Sequence, residues 1–178
     1  MEHESPHCPL TPFDHSMTIS LRPVLPGDGE FLFSVYASTR AEEMDLVDWS
    51  TAQKEVFLQM QFRAQDHYYR DVYSMAEYQV ILLEGQPVGR LYLQRRSDEI
   101  RVIDIALLPE FRRRGIGSSL MDQILDEAVK NNLPVTIHVE RFNPALHFYQ
   151  RLGFRLAEDK GIYYFMKWLP VSLEQHVR

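Results

Sequence analysis

The sequence predicts an α/β fold on a mixed sheet, and three observations carry that expectation. The first is a crossover. An apolar run, Ile100–Leu108, leads into an amphipathic helical segment and then a second apolar run, Pro134–Glu140. Two strands joined through a helix by short links lie parallel and close. The second is a hairpin pattern, Tyr78–Glu84 and Val88–Arg95 around Gly85-Gln86-Pro87, which supplies antiparallel strands. The third is size: 178 residues with 45% hydrophobic content suit one domain with a sizeable core.

Taken in order, residues 1–16 hold Pro6, Pro9 and Pro12 with His3, His7, Cys8 and His15. They read as a terminal arm without apolar periodicity rather than a metal site. The domain is expected over 17–170, with a tail at 171–178. Thr18–Leu21 reads as a strand. Pro26-Gly27-Asp28 is a turn, with Asp28 placed to cap a helix over 29–40 whose buried stripe is Phe31, Leu32, Val35 and Tyr36. Residues 41–49 form an acidic connection. Ser50 and Gln53 have capping-box spacing before a helix over 51–70. A helix over 115–130 repeats Ile116, Leu120, Met121, Ile124, Leu125, Ala128 and Val129 at helical spacing and ends at Asn131-Asn132. Asn143 and Pro144 open a short helix that Gly153 closes. Residues 154–156 and 162–168 are final strands, antiparallel across a turn at 157–161.

Composition narrows the function. A formal net charge of −6 disfavours a general nucleic-acid binder, which carries a basic face. A single cysteine, Cys8, permits neither an intrachain disulfide nor a cysteine-built zinc site. No apolar run has the length of a membrane span, and the N-terminus lacks a signal-peptide pattern. The expected location is cytoplasmic, with no bound metal and no membrane or nucleic-acid partner.

The most informative segment is Pro109–Leu120, which joins the first crossover strand to its helix. It carries Arg112, Arg113 and Arg114, then Gly115 and Gly117. N–H groups at a helix start have no internal acceptor, and the helix dipole adds positive potential there. Glycines let an anion approach that backbone, so the segment reads as a phosphate cradle. A P-loop requires Lys-Ser/Thr after the last glycine, but Ser118-Ser119 stands there. A dinucleotide fingerprint requires a third glycine where Leu120 stands.

What remains is Arg-x-x-Gly-x-Gly over 112–117, followed downstream by Asn143-Pro-Ala-Leu-His-Phe-Tyr-Gln-Arg-Leu-Gly-Phe154. This pair resembles the GCN5-related N-acetyltransferase (GNAT) superfamily. The first segment is similar to its acyl-coenzyme-A motif, Gln/Arg-x-x-Gly-x-Gly/Ala. The second is similar to Asn-x-x-Ala-x-x-Phe-Tyr-x-x-Leu-Gly-Phe, with Ala145 one place early. The resemblance is strong over about residues 100–155. It implies a single-domain GNAT fold: a mixed, twisted sheet of about six or seven strands, about four helices, and central parallel strands that splay apart. Acetyl-coenzyme A is the implied cosubstrate. Its pantetheine would run along Ile105, Ala106 and Leu107, and its pyrophosphate would rest on N–H groups of Arg113, Arg114, Gly115, Ile116, Gly117 and Ser118. The side chains of Arg112, Arg113 and Arg114 are expected either to bind the cofactor with that backbone or to form a solvated cationic rim. Asn143, a helix cap by position, matches an asparagine that contacts coenzyme A in the family.

Acetyl transfer to an amine needs a proton removed from the amine, a donor to the thioester oxygen and a proton for the leaving thiolate. The resemblance places the general acid at Tyr149; the other reading of Tyr149 is an aromatic anchor beside Phe148. Two residues contend as base. His138 stands in the second crossover strand, where some family members place a glutamate, and imidazole suits proton removal at neutral pH. Asp104 interrupts the first strand and serves either as base, directly or through water, or as a structural partner of Arg90 or Arg101. The family also tolerates the absence of a single essential base. The acceptor is expected against the early helices, where Glu43, Asp45 and Trp49, with Glu42 and Asp48 nearby, suit a cationic amine. The implied function is direct acyl transfer, most simply acetyl, to a small-molecule or peptide amine in a ternary complex. The rival is a catalytically silent acyl-coenzyme-A sensor or assembly module, and a Rossmann-type nucleotide binder stands third. A homodimer is compatible with either of the first two.

Overall fold

A computed structural model describes residues 18–174. The segment carrying His3, His7, Cys8 and His15 lies outside the described residues. Seven strands form one sheet: β1 (Ile19–Pro23), β2 (Glu77–Leu83), β3 (Gln86–Arg95), β4 (Ile100–Leu107), β5 (Val135–Glu140), β6 (Arg155–Asp159) and β7 (Tyr163–Trp168), in the order β1-β2-β3-β4-β5-β7-β6. Every neighbouring pair is antiparallel except β4–β5. The four expected helices are α1 (Gly29–Thr39), α3 (Thr51–Val72), α4 (Ile116–Asn131) and α5 (Leu146–Arg151). Two short ones join them, α2 (Ala41–Asp45) and α6 (Val171–Glu174). No helix among the described residues is long and apolar enough to cross a membrane.

Local chemistry explains most boundaries. The β2–β3 turn is Glu84-Gly85, both with positive φ (50° and 80°), the left-handed pair whose twist matches a two-residue hairpin. Gln86 and Pro87 therefore belong to β3 and not to the turn. Ser50 accepts from the Gln53 N–H, and the Gln53 side chain returns to the Ser50 N–H, a cap worth about 1 kcal/mol. Asp28 departs from expectation. Its carboxylate turns back to the Leu25 N–H (2.7 Å) and the Arg22 guanidinium (2.6 and 2.7 Å) and leaves α1 uncapped by a side chain. The expected connection over 41–49 contains α2. β6 runs on to Asp159, so the following turn is shorter than the expected 157–161.

The sheet separates two layers. One face packs on α4 and α5: Leu91, Leu93, Ile100, Val102, Val135, Ile137 and Val139 meet Ile116, Leu120, Met121, Ile124, Ala128 and Tyr149. The other face carries α1 and α3, where Tyr36 packs on Phe62 (5.7 Å) and Tyr69 stands edge-on to Tyr92 (6.2 Å).

Two features between β4 and β5 create the site. Their parallel pairing runs only from Ile100–Val135 to Val102–Ile137; beyond that the strands part. At the same level β4 bulges: Leu93 faces Val102 and Tyr92 faces Asp104, so Ile103 is an extra residue. A bulge re-aims the side chains that follow it. Here it sets Asp104 on the α1–α3 face, beside Arg90 and Tyr92 of β3.

Candidate functional site

The cradle expected from sequence is built by backbone. Arg113 (φ 58°) and Gly115 (φ 82°) take left-handed conformations, and Gly115 is the N-cap of α4. The Ser119 N–H is bonded to the Gly115 carbonyl, which leaves the N–H groups of Ile116, Gly117 and Ser118 without intrahelical acceptors. No side chain caps them. A Cβ on Gly117 would meet nothing within 4 Å. This glycine fills no packing need and leaves the helix start open, as an entering diphosphate requires.

The arginine side chains are disposed differently from one another. Arg112 donates from Nε to the Leu107 carbonyl (2.8 Å) and from Nη2 to the carbonyl and hydroxyl of Ser38 (3.1 and 3.0 Å). Arg114 lies over the Phe111 ring. Arg113 is exposed.

Ile105, Ala106 and Leu107 pair with Leu91, Arg90 and Gly89 on one edge and have no β5 partner on the other. Their second edge is free for an extended ligand, apart from the Leu107 carbonyl that Arg112 engages. Gly89 is needed for this arrangement. A Cβ there would stand 2.3 Å from the Ala106 carbonyl oxygen, so only glycine lets β3 press this close.

Asp104 meets Arg90, the first of its two expected partners. Arg90 Nη2 donates to Asp104 Oδ2 (2.7 Å) and to Gln65 of α3 (3.0 Å), with the Arg90 side chain only 3% exposed. Arg101 instead pairs with Glu99. Arg90 Nε and the Tyr92 hydroxyl are buried with no partner among the described residues. Burial pushes the Tyr92 hydroxyl up to about 12.

His138 is the first β5 residue on this face beyond the point where the strands part. It lies opposite Phe165, with ring centres 4.9 Å apart. Burial, and then the cations of Arg101 and Lys160, lower its pKa, so the imidazole is neutral at pH 7. Glu140, two residues on, holds Arg40 through two bonds (2.7 and 3.0 Å).

Tyr149 approaches from the other layer. It is 5% exposed and packs on Phe148 and Phe154. Burial, and then the negative charge of Asp104, push its hydroxyl well above the usual phenol range; the phenol keeps its proton. The ring is thus an aromatic anchor, and the hydroxyl on it stays protonated at neutral pH. Asn143 accepts from the Ala145 N–H (2.8 Å) and closes a turn just before α5 rather than capping the helix itself.

A pocket of about 260 Å³ opens on the α1–α3 side, lined by Tyr36, Arg40, Glu43, Met44, Phe57, Leu58 and Gln61. Of the expected acceptor residues, Glu43 lines it. Asp45 and Trp49 are not among the lining residues, and Trp49 stands edge-on to Phe57 (5.3 Å). Tyr36, expected only in the buried stripe of α1, and Arg40, which bonds Glu140 and Glu43, also line this pocket. Their signal lay in α1 itself: Tyr36 and Arg40 are spaced i, i+4, and their side chains meet (5.9 Å). Among the described residues, no His/Cys/Asp/Glu group has the geometry to hold a metal ion.

Similarity to known proteins follows the same outline. The chain is 26% identical over 107 residues to N-alpha-acetyltransferase 50 of Danio rerio, matching 56% of this chain and 64% of that protein. It is 33% identical over 69 residues to the ribosomal protein bS18-alanine N-acetyltransferase of Salmonella typhimurium, matching 38% of this chain and 47% of that one. The chain thus spans less than two thirds of either relative. The structure of PaiA N-acetyltransferase from Thermoplasma acidophilum, in complex with coenzyme A, superposes with a TM-score of 0.65 at 17% identity, covering 86% of this chain and 99% of that one. The sequence profile of the acetyltransferase (GNAT) family matches residues 40–154, more than half of the chain and all of the parted-strand site, and the chain belongs to that family.

Proposed function

We propose that this protein is an acetyl-coenzyme-A-dependent N-acetyltransferase that transfers the acetyl group directly to the α-amine of a polypeptide. One observation carries the reading. The open start of α4 and the free edge of β4 border the gap between β4 and β5, His138 stands on β5 just past the last β4–β5 pair, and the protonated Tyr149 belongs to the α4–α5 layer. The helix start suits a diphosphate, and the strand edge suits the amide chain of a pantetheine. When bound, acetyl-coenzyme A supplies the thioester. Neutral His138 takes the proton from the acceptor α-amine, whose ordinary pKa of about 7.7–8.0 leaves it mostly protonated at pH 7. The Tyr149 hydroxyl gives its proton to the departing sulfur. Asp104, bound to Arg90, serves as a fixed negative charge and not as the base.

The acceptor class rests on the pocket and on the relatives. Tyr36, Met44, Phe57 and Leu58 share the pocket wall with Arg40, Glu43 and Gln61, so the lining is mixed, with apolar and polar side chains side by side. A wall of this kind has room for an amine carried beside an apolar group. Of the relatives above, one is named an N-alpha-acetyltransferase and the other a ribosomal protein bS18-alanine N-acetyltransferase.

Two measurements test this. Acetyl-coenzyme A should raise the melting temperature where NAD and ATP do little, and about 100 Kd of ligand gives near 2.7 kcal/mol. Gly117→Val should abolish that shift while the free protein melts normally, because the added side chain occupies open space. Thiol release should then appear with peptides bearing a free apolar N-terminus. Binding without transfer to any amine would leave only an acyl-coenzyme-A binding module.

A further inference from the structure

We propose that the last turn of α1 and the segment that follows it form a strap across the parted strands, with Arg112 and Arg40 as positioning residues that let the acceptor pocket sense what lies between β4 and β5. The inference rests on the function proposed above and concerns how the wall of the acceptor pocket is tied to the two strands.

The geometry is specific. Ser38 belongs to the last four residues of α1, where carbonyls lack intrahelical donors. Its donor is Arg112, 74 residues away, and the same guanidinium holds the Leu107 carbonyl at the end of β4. Two residues further on, Arg40 reaches the opposite strand and grips Glu140 at the end of β5. One helical turn is therefore tied to both strands, one arginine to each. A guanidinium presents its donors in a rigid planar fork, so each tie fixes direction as well as distance.

Beyond Val102 and Ile137 no ladder fixes the separation of these strands. A ligand lodged there sets the spacing, and the ties pass it to the strap. The strap supplies Tyr36, Arg40, Glu43 and Met44 to the pocket wall. Occupancy of the gap then organises the acceptor pocket, and acceptor binding favours occupancy in return, since such coupling is reciprocal.

Hydrogen–deuterium exchange with coenzyme A tests this without knowledge of the acceptor. In the wild type, coenzyme A should slow exchange in residues 113–119 and also in residues 36–46, the latter by about fivefold or more, the lower end of ordinary allosteric coupling. Arg112→Lys keeps the charge but loses the fork. Glu140→Gln weakens the other tie without touching the phosphate loop. In each variant the protection of 36–46 relative to 113–119 should fall. Undiminished relative protection in both variants, or no protection of 36–46 in the wild type, overturns the strap. Absence of protection at 113–119 in the wild type instead overturns the coenzyme A assignment beneath it.

Discussion

The two sides of the parted strands are built by different means. The cradle at the start of α4 consists of main-chain N–H groups in one short run, shaped by two left-handed residues and opened by Gly117. The pocket side consists of side chains from α1, α2, α3 and β5, held by an ion pair that spans 100 residues, Arg40–Glu140. A backbone site tolerates exchange of most of its side chains and fails when a glycine is filled. A side-chain site fails when one partner of a pair is removed. Mutations on the two sides should therefore leave different signatures, and Tyr149, packed in the α4–α5 layer, should leave another.

The largest effect is expected there. Tyr149→Phe keeps the packing against Phe148 and Phe154 and removes only the held proton. Turnover should fall by about 10²–10⁴, as for other acid–base groups, while the coenzyme A melting shift stays near the wild-type value. Full turnover in the variant would leave Tyr149 an anchor alone.

That contrast also explains what the sequence made legible. Cradle residues are contiguous, so glycine spacing and the strand–helix join disclose them directly. The crossover, the hairpin and the stripe of α4 are likewise local patterns with known periods. Arg90 beside Asp104 was foreseen as one of two pairings, because β3 and β4 are sequential neighbours. Arg40 with Glu140 and Arg112 with Ser38 were not, since each joins distant segments that only the layering of α1 over the sheet brings together. The bulge at Ile103 left no local mark either; an apolar residue in an apolar strand looks the same paired or extra. Asp28 misled because Arg22, six residues back, outcompetes the free N–H groups of α1 for its carboxylate and lowers its pKa to about 2.

The next effect separates the two contenders for the base. Asp104→Ala leaves the buried Arg90 guanidinium uncompensated and should cost about 3–5 kcal/mol of stability. Denaturant midpoints would read it, and the double variant Asp104→Leu with Arg90→Met should recover much of the loss. His138→Gln should behave in the opposite way, with little change in stability and a changed pH profile. Burial and the Arg101 and Lys160 charges lower the His138 pKa, so the folded protein disfavours its protonated form. Stability from this group is present above about pH 6.5, the unfolded value, and is lost as pH falls through the folded value. Activity follows the same sign: kcat/KM should hold level from neutral pH down to below about 6.5 and then fall. In His138→Gln that acid limb should disappear at a lower overall rate. An unaltered limb would return the role of base to Asp104, or to no single residue.

The smallest effect is expected on the acceptor flank and bears on the charge that Arg40 offsets. Glu43→Gln, Asp45→Asn and Asp48→Asn together remove three carboxylates from the rim. Glu43 is bonded to Arg40 (3.0 Å) but is more than half exposed, and Arg40 keeps its stronger partner Glu140 when Glu43 is lost. The fold should not notice the change. What remains is the long-range attraction of an approaching ammonium, which exposed charges exert weakly and which salt screens over about 8 Å at physiological ionic strength. Exposed pairs contribute about 0.2–1 kcal/mol, so the acceptor KM should rise no more than about fivefold at low salt. It should converge with the wild-type value at high salt, and the KM for acetyl-coenzyme A should not move. A rise that persists at high salt would mean that a carboxylate contacts the bound amine directly. No rise at any salt would make the rim solvated surface and leave the mixed lining and the strap as the sources of acceptor selectivity.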